Sequence, residues 1–274
     1  SLKKIHKFCG YNVIGINHLG DWGTQFGKLI VAYKKWSSRE KLEADGIKEL
    51  ERIYVMFGKE AEKDPSLNDQ ARAAFRELES GNKEYLEIWQ LFKDISLREY
   101  TQTYKRLGIE FDVWDGESLY TDKMPAIVEE LREKELLKID DGASIVDLEQ
   151  WNMPPALILK RDGSTLYPTR DIAAAVYRKN TYDFDKCLYV VAYQQDLHFR
   201  QWFKVIEKMG YDWAKDLVHV AFGMISYEGQ SLHLGGGVVF HCDFLLSQNI
   251  CFGNSFFSTF RYCGIINQIH YNTL

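Results

Sequence analysis

Hydrophobic residues recur every three or four positions through most of the segment 24–107. This spacing places apolar side chains on one face of a helix, so it predicts helices over 24–36, 39–63 and 65–107. Two apolar stripes run along these helices: Leu50, Ile53, Tyr54 and Phe57, and Tyr85, Ile88, Trp89 and Phe92. We interpret both stripes as packing surfaces of a scaffold, because amphipathic helix faces are used mainly for packing.

Short apolar runs alternate with helical patterns in the rest of the chain. Runs rich in β-branched and aromatic residues predict strands. The predicted strands are 11–16, 109–114, 143–148, 156–160, 187–192 and 218–222, and the further predicted helices are 2–8, 122–137, 169–178 and 197–209. This alternation is typical of a parallel sheet covered by helices. We therefore predict an α/β fold: a nucleotide-binding domain interrupted by a mainly helical insertion.

The patterns divide the chain into four parts. We predict a first part of the α/β domain at 1–45, the helical insertion at 46–165, a second part of the α/β domain at 166–230, and a tail at 231–274. Because the first residues resemble the last turns of a helix, we expect the natural protein to contain sequence before Ser1.

The predicted tail differs from the rest in composition. It contains one basic residue, Arg261, and one acidic residue, Asp243, and its phenylalanines follow no clean period. We favour a reading-frame error or an aberrant splice as its origin. A zinc site of its histidines and cysteines, or a phosphate loop at LGGGVVF, is a weaker hypothesis, because neither has the spacing of a known motif.

Composition and charge narrow the function classes. Of the residues, 46% are hydrophobic and 27% charged, as in globular proteins, and no apolar run is long enough to span a membrane. The five cysteines are an odd number without paired spacing, which favours reduced thiols and a cytoplasmic location. The net charge of −5 does not indicate binding to DNA or RNA, although YKKW at 33–36 is a small basic candidate.

A glycine-rich cluster, INHLGDWGTQFG at 16–27, follows the first predicted strand. Ligands of open α/β sheets bind at the carboxyl ends of strands. Glycine lets the backbone approach a ligand closely, and side chains at a helix start can donate to phosphates. Gly20, Thr24 and Gln25 are therefore candidate nucleotide contacts. A plain strand-to-helix turn explains the same residues equally well.

Four ordered blocks carry a family resemblance. They are GYNVIGINHLGDWGTQFGKLI at 10–30, FDVWDGES at 111–118, LYPTRDIAAAVYR at 166–178 and LYVVAYQQDLHFRQWF at 188–203. Together they resemble arginyl-tRNA synthetases. The resemblance implies a Rossmann-type class I synthetase catalytic domain that uses L-arginine, ATP with Mg²⁺, and tRNA(Arg), without a tightly bound cofactor, a structural metal, a membrane or DNA.

The resemblance also implies an arginine site. Recognition of a guanidinium requires carboxylates and neutral acceptors, because the group is a planar fork of donors that keeps its charge. By resemblance, Tyr167 and Asp171 face the guanidinium, Glu117 contacts the substrate, and Gln195 holds its amino-acid end. His198 is a weaker candidate near the nucleotide. Taken singly, each also fits an ordinary role at a helix start, in a turn or in the core.

Two features of the family are missing from this sequence. It contains no His-x-Gly-His signature, and SLHLGGGVVF stands where a lysine-bearing loop should follow FGMISYEGQ. The resemblance implies that those motifs stabilise the ATP phosphates. We therefore assign no catalytic residue, and we expect weak or absent adenylation. A non-catalytic arginine-binding paralogue and a helical interaction protein remain alternatives.

Overall fold

A computed structural model describes residues 1–223 with their side chains and, beyond them, only the backbone of Ser226–Tyr227, Gln230–Ser231 and Ile265–Asn272. The helices are α1 (Leu2–Phe8), α2 (Thr24–Trp36), α3 (Arg39–Asp45), α4 (Ile47–Lys63), α5 (Ser66–Glu79), α6 (Lys83–Leu107), α7 (Met124–Glu133), α8 (Tyr167–Tyr182) and α9 (Asp196–Lys208). The strands are β1 (Asn12–Leu19), β2 (Val113–Gly116), β3 (Leu137–Asp140), β4 (Ala143–Val146), β5 (Ala156–Leu159), β6 (Lys186–Ala192), β7 (Leu217–Phe222), β8 (Ser226–Tyr227), β9 (Gln230–Ser231) and β10 (Ile265–Asn272).

These elements form two compact units. The sheet unit comprises Ser1–Leu19 and Phe111–Ser231 and includes β10, whereas the helical unit contains Gly20–Glu110. The units therefore divide the chain at places other than the predicted boundaries after residues 45 and 165. The reason is packing: α2 contacts α5 of the helical unit, while β4, β5 and α7 share a core with α8 and α9.

The main sheet has the strand order β2-β1-β10-β6-β7. β1 is parallel to β2 and β6 is parallel to β7, whereas β10 is antiparallel to both β1 and β6. The predicted parallel sheet thus holds for four strands, and the antiparallel β10 was not predicted because its segment has no clear period. β1, β2, β6 and β7 all run in one direction, so their carboxyl ends lie at one edge.

Smaller sheets complete the sheet unit. β3, β4 and β5 form an antiparallel three-stranded sheet, and β8 pairs with β9. The buried core includes Tyr189 of β6 with Phe199 and Trp202 of α9, whose rings contact one another. This core fixes the start of α9 against the carboxyl half of β6.

The helical unit confirms the two apolar stripes as packing surfaces. Ile53, Phe57 and Phe92 are almost fully buried in its core. Each of the predicted helices 39–63 and 65–107 consists of two helices in the structure. The prediction missed the turn between them, because the apolar period continues across it. Gly46, with φ of 59°, separates α3 from α4 in a conformation that glycine adopts without strain. Asn82 caps the start of α6 by accepting a hydrogen bond from the Glu84 backbone N–H.

Candidate functional site

Three segments of the sheet unit carry the residues predicted to bind arginine. Glu117 follows β2 directly and begins a short 3₁₀ turn, and Gln195 ends the 3₁₀ turn that follows β6. Tyr167 and Asp171 lie in the first turns of α8, four residues apart on one face. β2 and β6 thus deliver Glu117 and Gln195 to the edge where open α/β sheets bind ligands.

Asp171 is held by a residue of α9. The Nε2 of His198 lies 2.6 Å from the Asp171 Oδ2, and the two side chains are 23% and 14% exposed. Because a carboxylate only accepts, Nε2 is the protonated nitrogen of this imidazole. His198, the weaker candidate near the nucleotide, thus contacts Asp171, a predicted arginine ligand.

Glu117 is paired with a cation that the sequence did not single out. Arg170 donates to the Glu117 Oε2, and the two side chains are 12% and 14% exposed. The Arg170 guanidinium also lies 5.6 Å from the centre of the Tyr167 ring. Arg170 is thus a guanidinium already present beside two residues predicted to recognise one.

A buried arginine forms a second polar group in the same unit. Arg178 is fully buried, and its Nη2 lies 3.0 Å from the His18 Nδ1 and 3.2 Å from the Tyr120 hydroxyl. Its Nε and Nη1 have no hydrogen-bond partner among the described residues. Since an arginine cannot accept, the His18 Nδ1 must be unprotonated and accept from it.

Burial lowers the pKa of His18 well below its usual 6.5, and the positive charges of Arg178 and Arg170 lower it further. Burial also raises the pKa of Tyr120 and raises that of Cys187 to about 12. These groups therefore stay neutral around Arg178 at neutral pH. The sequence signal that points to Arg178 is its seven-residue spacing from Asp171, which places both residues on one side of α8.

Tyr167 and Gln195 are the exposed members of the predicted arginine site. Tyr167 is 55% exposed and Gln195 is exposed, and neither side chain makes a hydrogen bond within the described part of the chain. Their polar groups are therefore accessible, whereas Asp171 and Glu117 are held by internal partners. The described geometry brings together Asp171 with His198 and Glu117 with Arg170 and Tyr167.

The remaining nucleotide candidates belong to the helical unit. Gly20 lies just before α2, and Thr24 and Gln25 are exposed residues of its first turn. Asp21, for which the sequence suggested no role, is 4% exposed, and its carboxylate lies 2.7 Å from the Lys93 Nζ. The Trp89 Nε1 donates to the Asp21 carbonyl, so Asp21 joins the start of α2 to α6.

The basic candidate in the same unit is engaged. Within YKKW, the Lys34 Nζ lies 2.8 Å from Glu84 and 4.0 Å from the centre of the Tyr85 ring. Its charge is therefore partly neutralised within the unit. Among the residues that the structure describes, no helix has the length and apolar character needed to cross a membrane, and no three potential metal ligands cluster together.

Comparisons with known proteins give the chain its family. The family described as tRNA synthetases class I (R), catalytic domain, matches residues 1–250, and so extends into the segment that composition set apart at 231. A protein named Arginine--tRNA ligase from Clostridioides difficile is 58% identical over 250 residues. That match covers 91% of this chain and 44% of the relative, so the chain spans less than half the length of this relative.

Solved structures agree on the fold. The arginyl-tRNA synthetase of Plasmodium falciparum superposes with a TM-score of 0.69 at 25% identity, covering 81% of this chain and 38% of that one. The arginyl-tRNA synthetase of Thermus thermophilus, at 17% identity, has a TM-score of 0.70 and covers 90% and 47%. The residues predicted to form a site at the strand ends therefore lie in a Rossmann-type fold, and the chain belongs to the class I arginyl-tRNA synthetase catalytic-domain family.

Proposed function

We propose that this chain is part of an arginine–tRNA ligase, which activates L-arginine with ATP to arginyl-adenylate and transfers it to tRNA(Arg). The family match over residues 1–250 and the relative that is 58% identical support this proposal. The class I family implies ATP as a substrate. Because the chain spans only 44% of that relative, the whole reaction is proposed for the complete protein.

The arginine site that we propose consists of Tyr167, Asp171, Gln195 and Glu117. The observation that carries it is the Asp171 carboxylate, which is 14% exposed, fixed by a hydrogen bond, and placed one helical turn after the exposed Tyr167. A carboxylate with little water around it attracts a guanidinium more strongly than one in bulk solvent. Gln195, at the end of the 3₁₀ turn that follows β6, offers both donors and acceptors to the amino-acid end of the substrate.

Glu117 contributes a second negative charge to the proposed site. Its carboxylate already accepts from Arg170, so the substrate guanidinium has to share that carboxylate with an internal guanidinium. Arg170 compensates the negative charge of Glu117 when the site is empty, since a little-exposed carboxylate is costly to bury without a cation.

For ATP, the proposed contacts are Gly20, Thr24 and Gln25 of the helical unit. We propose that Mg²⁺ enters with the ATP phosphates, since Mg²⁺ commonly binds through phosphates and water. The sequence lacks a His-x-Gly-His motif, and we therefore propose that this chain by itself binds arginine but adenylates it weakly. Its proposed location is the cytoplasm, without a membrane or DNA partner.

Calorimetric titration with L-arginine and L-lysine tests the proposed site. The variant is Asp171→Asn, which removes the charge and keeps the shape. The matched control is Asp183→Asn at the other end of α8, where the side chain is 88% exposed. We expect arginine-selective heat in the unsubstituted chain and in the control, and at least about tenfold weaker binding in Asp171→Asn.

Equal binding of arginine and lysine, or unchanged arginine affinity in Asp171→Asn, would contradict the proposed site. Absence of arginine binding by a folded sample would favour the helical interaction protein. Arginine binding that occurs without pyrophosphate exchange in a longer natural protein would favour the non-catalytic paralogue.

A further inference from the structure

The His198–Asp171 contact joins two helices that meet at the proposed arginine site. Asp171 lies in the second turn of α8, and His198 lies in the first turn of α9. Their side chains meet with 2.6 Å between Nε2 and Oδ2. The two residues are 27 positions apart, so the contact depends on the packing of α8 against α9.

The imidazole is held firmly enough to orient its partner. The His198 ring contacts the ring of Phe199, with centroids 5.6 Å apart, and Phe199 is 2% exposed in the core of the sheet unit. The backbone of α9 and this ring contact therefore fix the direction of the Nε2–H bond. A donor fixed in this way restricts rotation of the Asp171 carboxylate about its last torsion angle.

The contact uses one of the two carboxylate oxygens. Among the described residues, Oδ2 accepts from His198 and Oδ1 accepts no hydrogen bond. A carboxylate that is already oriented loses less conformational entropy when a guanidinium binds. The contact therefore leaves Oδ1 to accept a hydrogen bond from one N–H of a guanidinium. A guanidinium has several N–H groups, and the others can donate to neighbouring acceptors.

We propose that His198 is a positioning residue for arginine recognition, because it fixes the Asp171 carboxylate with Oδ2 occupied and Oδ1 available. The inference rests on the proposed arginine site. It assigns His198 to the amino-acid substrate rather than to the nucleotide. The substrate class that follows is an amino acid with a guanidinium, bound through a single oxygen of Asp171.

Two substitutions separate positioning from simple packing. His198→Leu keeps an apolar body and removes the donor, and we expect arginine to bind about tenfold more weakly. His198→Gln places an N–H near the position of Nε2, and we expect it to restore affinity to within about threefold of the unsubstituted chain. The control is His219→Leu, since the His219 ring stacks on the same Phe199 at 4.5 Å and its nitrogens bond to Val191 and Asp196.

A spectroscopic measurement covers the case in which His198→Leu does not fold. Long-range ¹H–¹⁵N spectra of the imidazoles of the intact chain report which nitrogen carries the proton. We expect His198 to be protonated at Nε2, to lose this preference in Asp171→Asn, and to shift when L-arginine is added, while the signals of His6 stay in place. These changes are the signature of an imidazole coupled to the arginine-binding carboxylate.

Four results would overturn the inference. These are unchanged arginine affinity in folded His198→Leu, no recovery in folded His198→Gln, a His198 signal indifferent to Asp171→Asn, and a His198 signal indifferent to arginine. Any of them together with arginine-selective binding by the unsubstituted chain would leave the proposed function standing. Absence of arginine binding by the unsubstituted chain would overturn the proposed function and this inference with it.

Discussion

Two carboxylates of the proposed site owe their position to partners that lie far away in the sequence. Arg170 is 53 residues from Glu117, and His198 is 27 residues from Asp171. The resemblance to the family named Asp171 and Glu117 as candidates, because their blocks are recognisable as sequence. It could not give their partners, because such pairs form only when β2, α8 and α9 meet in the folded chain.

The Glu117–Arg170 pair makes a prediction about stability. Arg170→Met removes the little-exposed cation that donates to the Glu117 Oε2, so we expect the free energy of unfolding to fall by about 2 kcal/mol at neutral pH. Urea denaturation measures this. The control is Arg161→Met, whose partner Asp141 is 82% exposed, and its expected loss is below about 0.5 kcal/mol. Equal losses in the two variants would show that the pair does not shield a buried charge.

His18 makes a prediction about pH. Its pKa in the folded chain is lowered by burial and by the charges of Arg178 and Arg170, whereas its value in the unfolded chain is near 6.5. The unfolded chain therefore binds a proton first as the pH falls below 6.5, and this favours unfolding. Through His18, the free energy of unfolding therefore falls by up to about 1.4 kcal/mol for each unit by which the pH is lowered below 6.5.

His18→Asn tests this contribution, because the Asn side chain can accept from Arg178 and does not titrate. We expect the free energy of unfolding to decline less steeply in the variant than in the unsubstituted chain between about pH 6.5 and pH 5. Denaturant titrations at several pH values give the two slopes. Identical slopes would mean that His18 titrates in the folded chain as it does in the unfolded one.

The elements show what a hydrophobic period can and cannot predict. The stripe containing Ile53 and Phe57 was placed correctly, because burial of one helix face repeats with the turn of the helix. The breaks at Gly46 and before Asn82 were not, because the apolar period runs on through both turns. Gly27 belongs to the glycine-rich cluster at 16–27 that we interpreted as a ligand approach, and in the structure it marks the contact of α2 with α5.

The close packing at Gly27 predicts that a side chain there destabilises the protein. A Cβ atom at this position would lie 2.1 Å from the Ala71 carbonyl oxygen, which is backbone and cannot move aside. We expect Gly27→Ala to lower the free energy of unfolding by at least about 2 kcal/mol. Gly58→Ala is the control, since nothing lies within 4 Å of its added Cβ in helix α4, and we expect it to stabilise by about 0.5 kcal/mol. A mild effect at Gly27 would mean that the two helices can separate without cost.

The main sheet combines four parallel strands that the sequence predicted with one strand that it did not. The α/β alternation gave the four parallel strands, since strands and helices differ in period. β10 lies between β1 and β6 and runs against both. The position of β10 in the sheet could not be predicted. Strands that lie far apart in the sequence pair according to the packing of the whole sheet, and not according to a local sequence pattern.

The pairing of β10 predicts that its removal exposes the backbone of the neighbouring strands. Removal of residues 265–274 would leave β1 and β6 each without the partner that pairs along their length. Unpaired strand edges exchange their amide hydrogens and associate with other chains. We expect faster hydrogen exchange at 12–19 and 186–192 and unchanged exchange within α4. Unchanged protection of β1 and β6 would show that they do not depend on β10.

In the proposed site, Asp171 recognises a charged guanidinium together with Tyr167, Gln195 and Glu117. The most direct measurement is a calorimetric comparison of L-arginine with L-citrulline, which has the same length and a neutral urea in place of the guanidinium. We expect arginine to bind at least about a hundredfold more tightly, because the carboxylates attract a charge that citrulline lacks. Equal affinity for the two amino acids, or no binding of arginine by the folded chain, would contradict the proposed site.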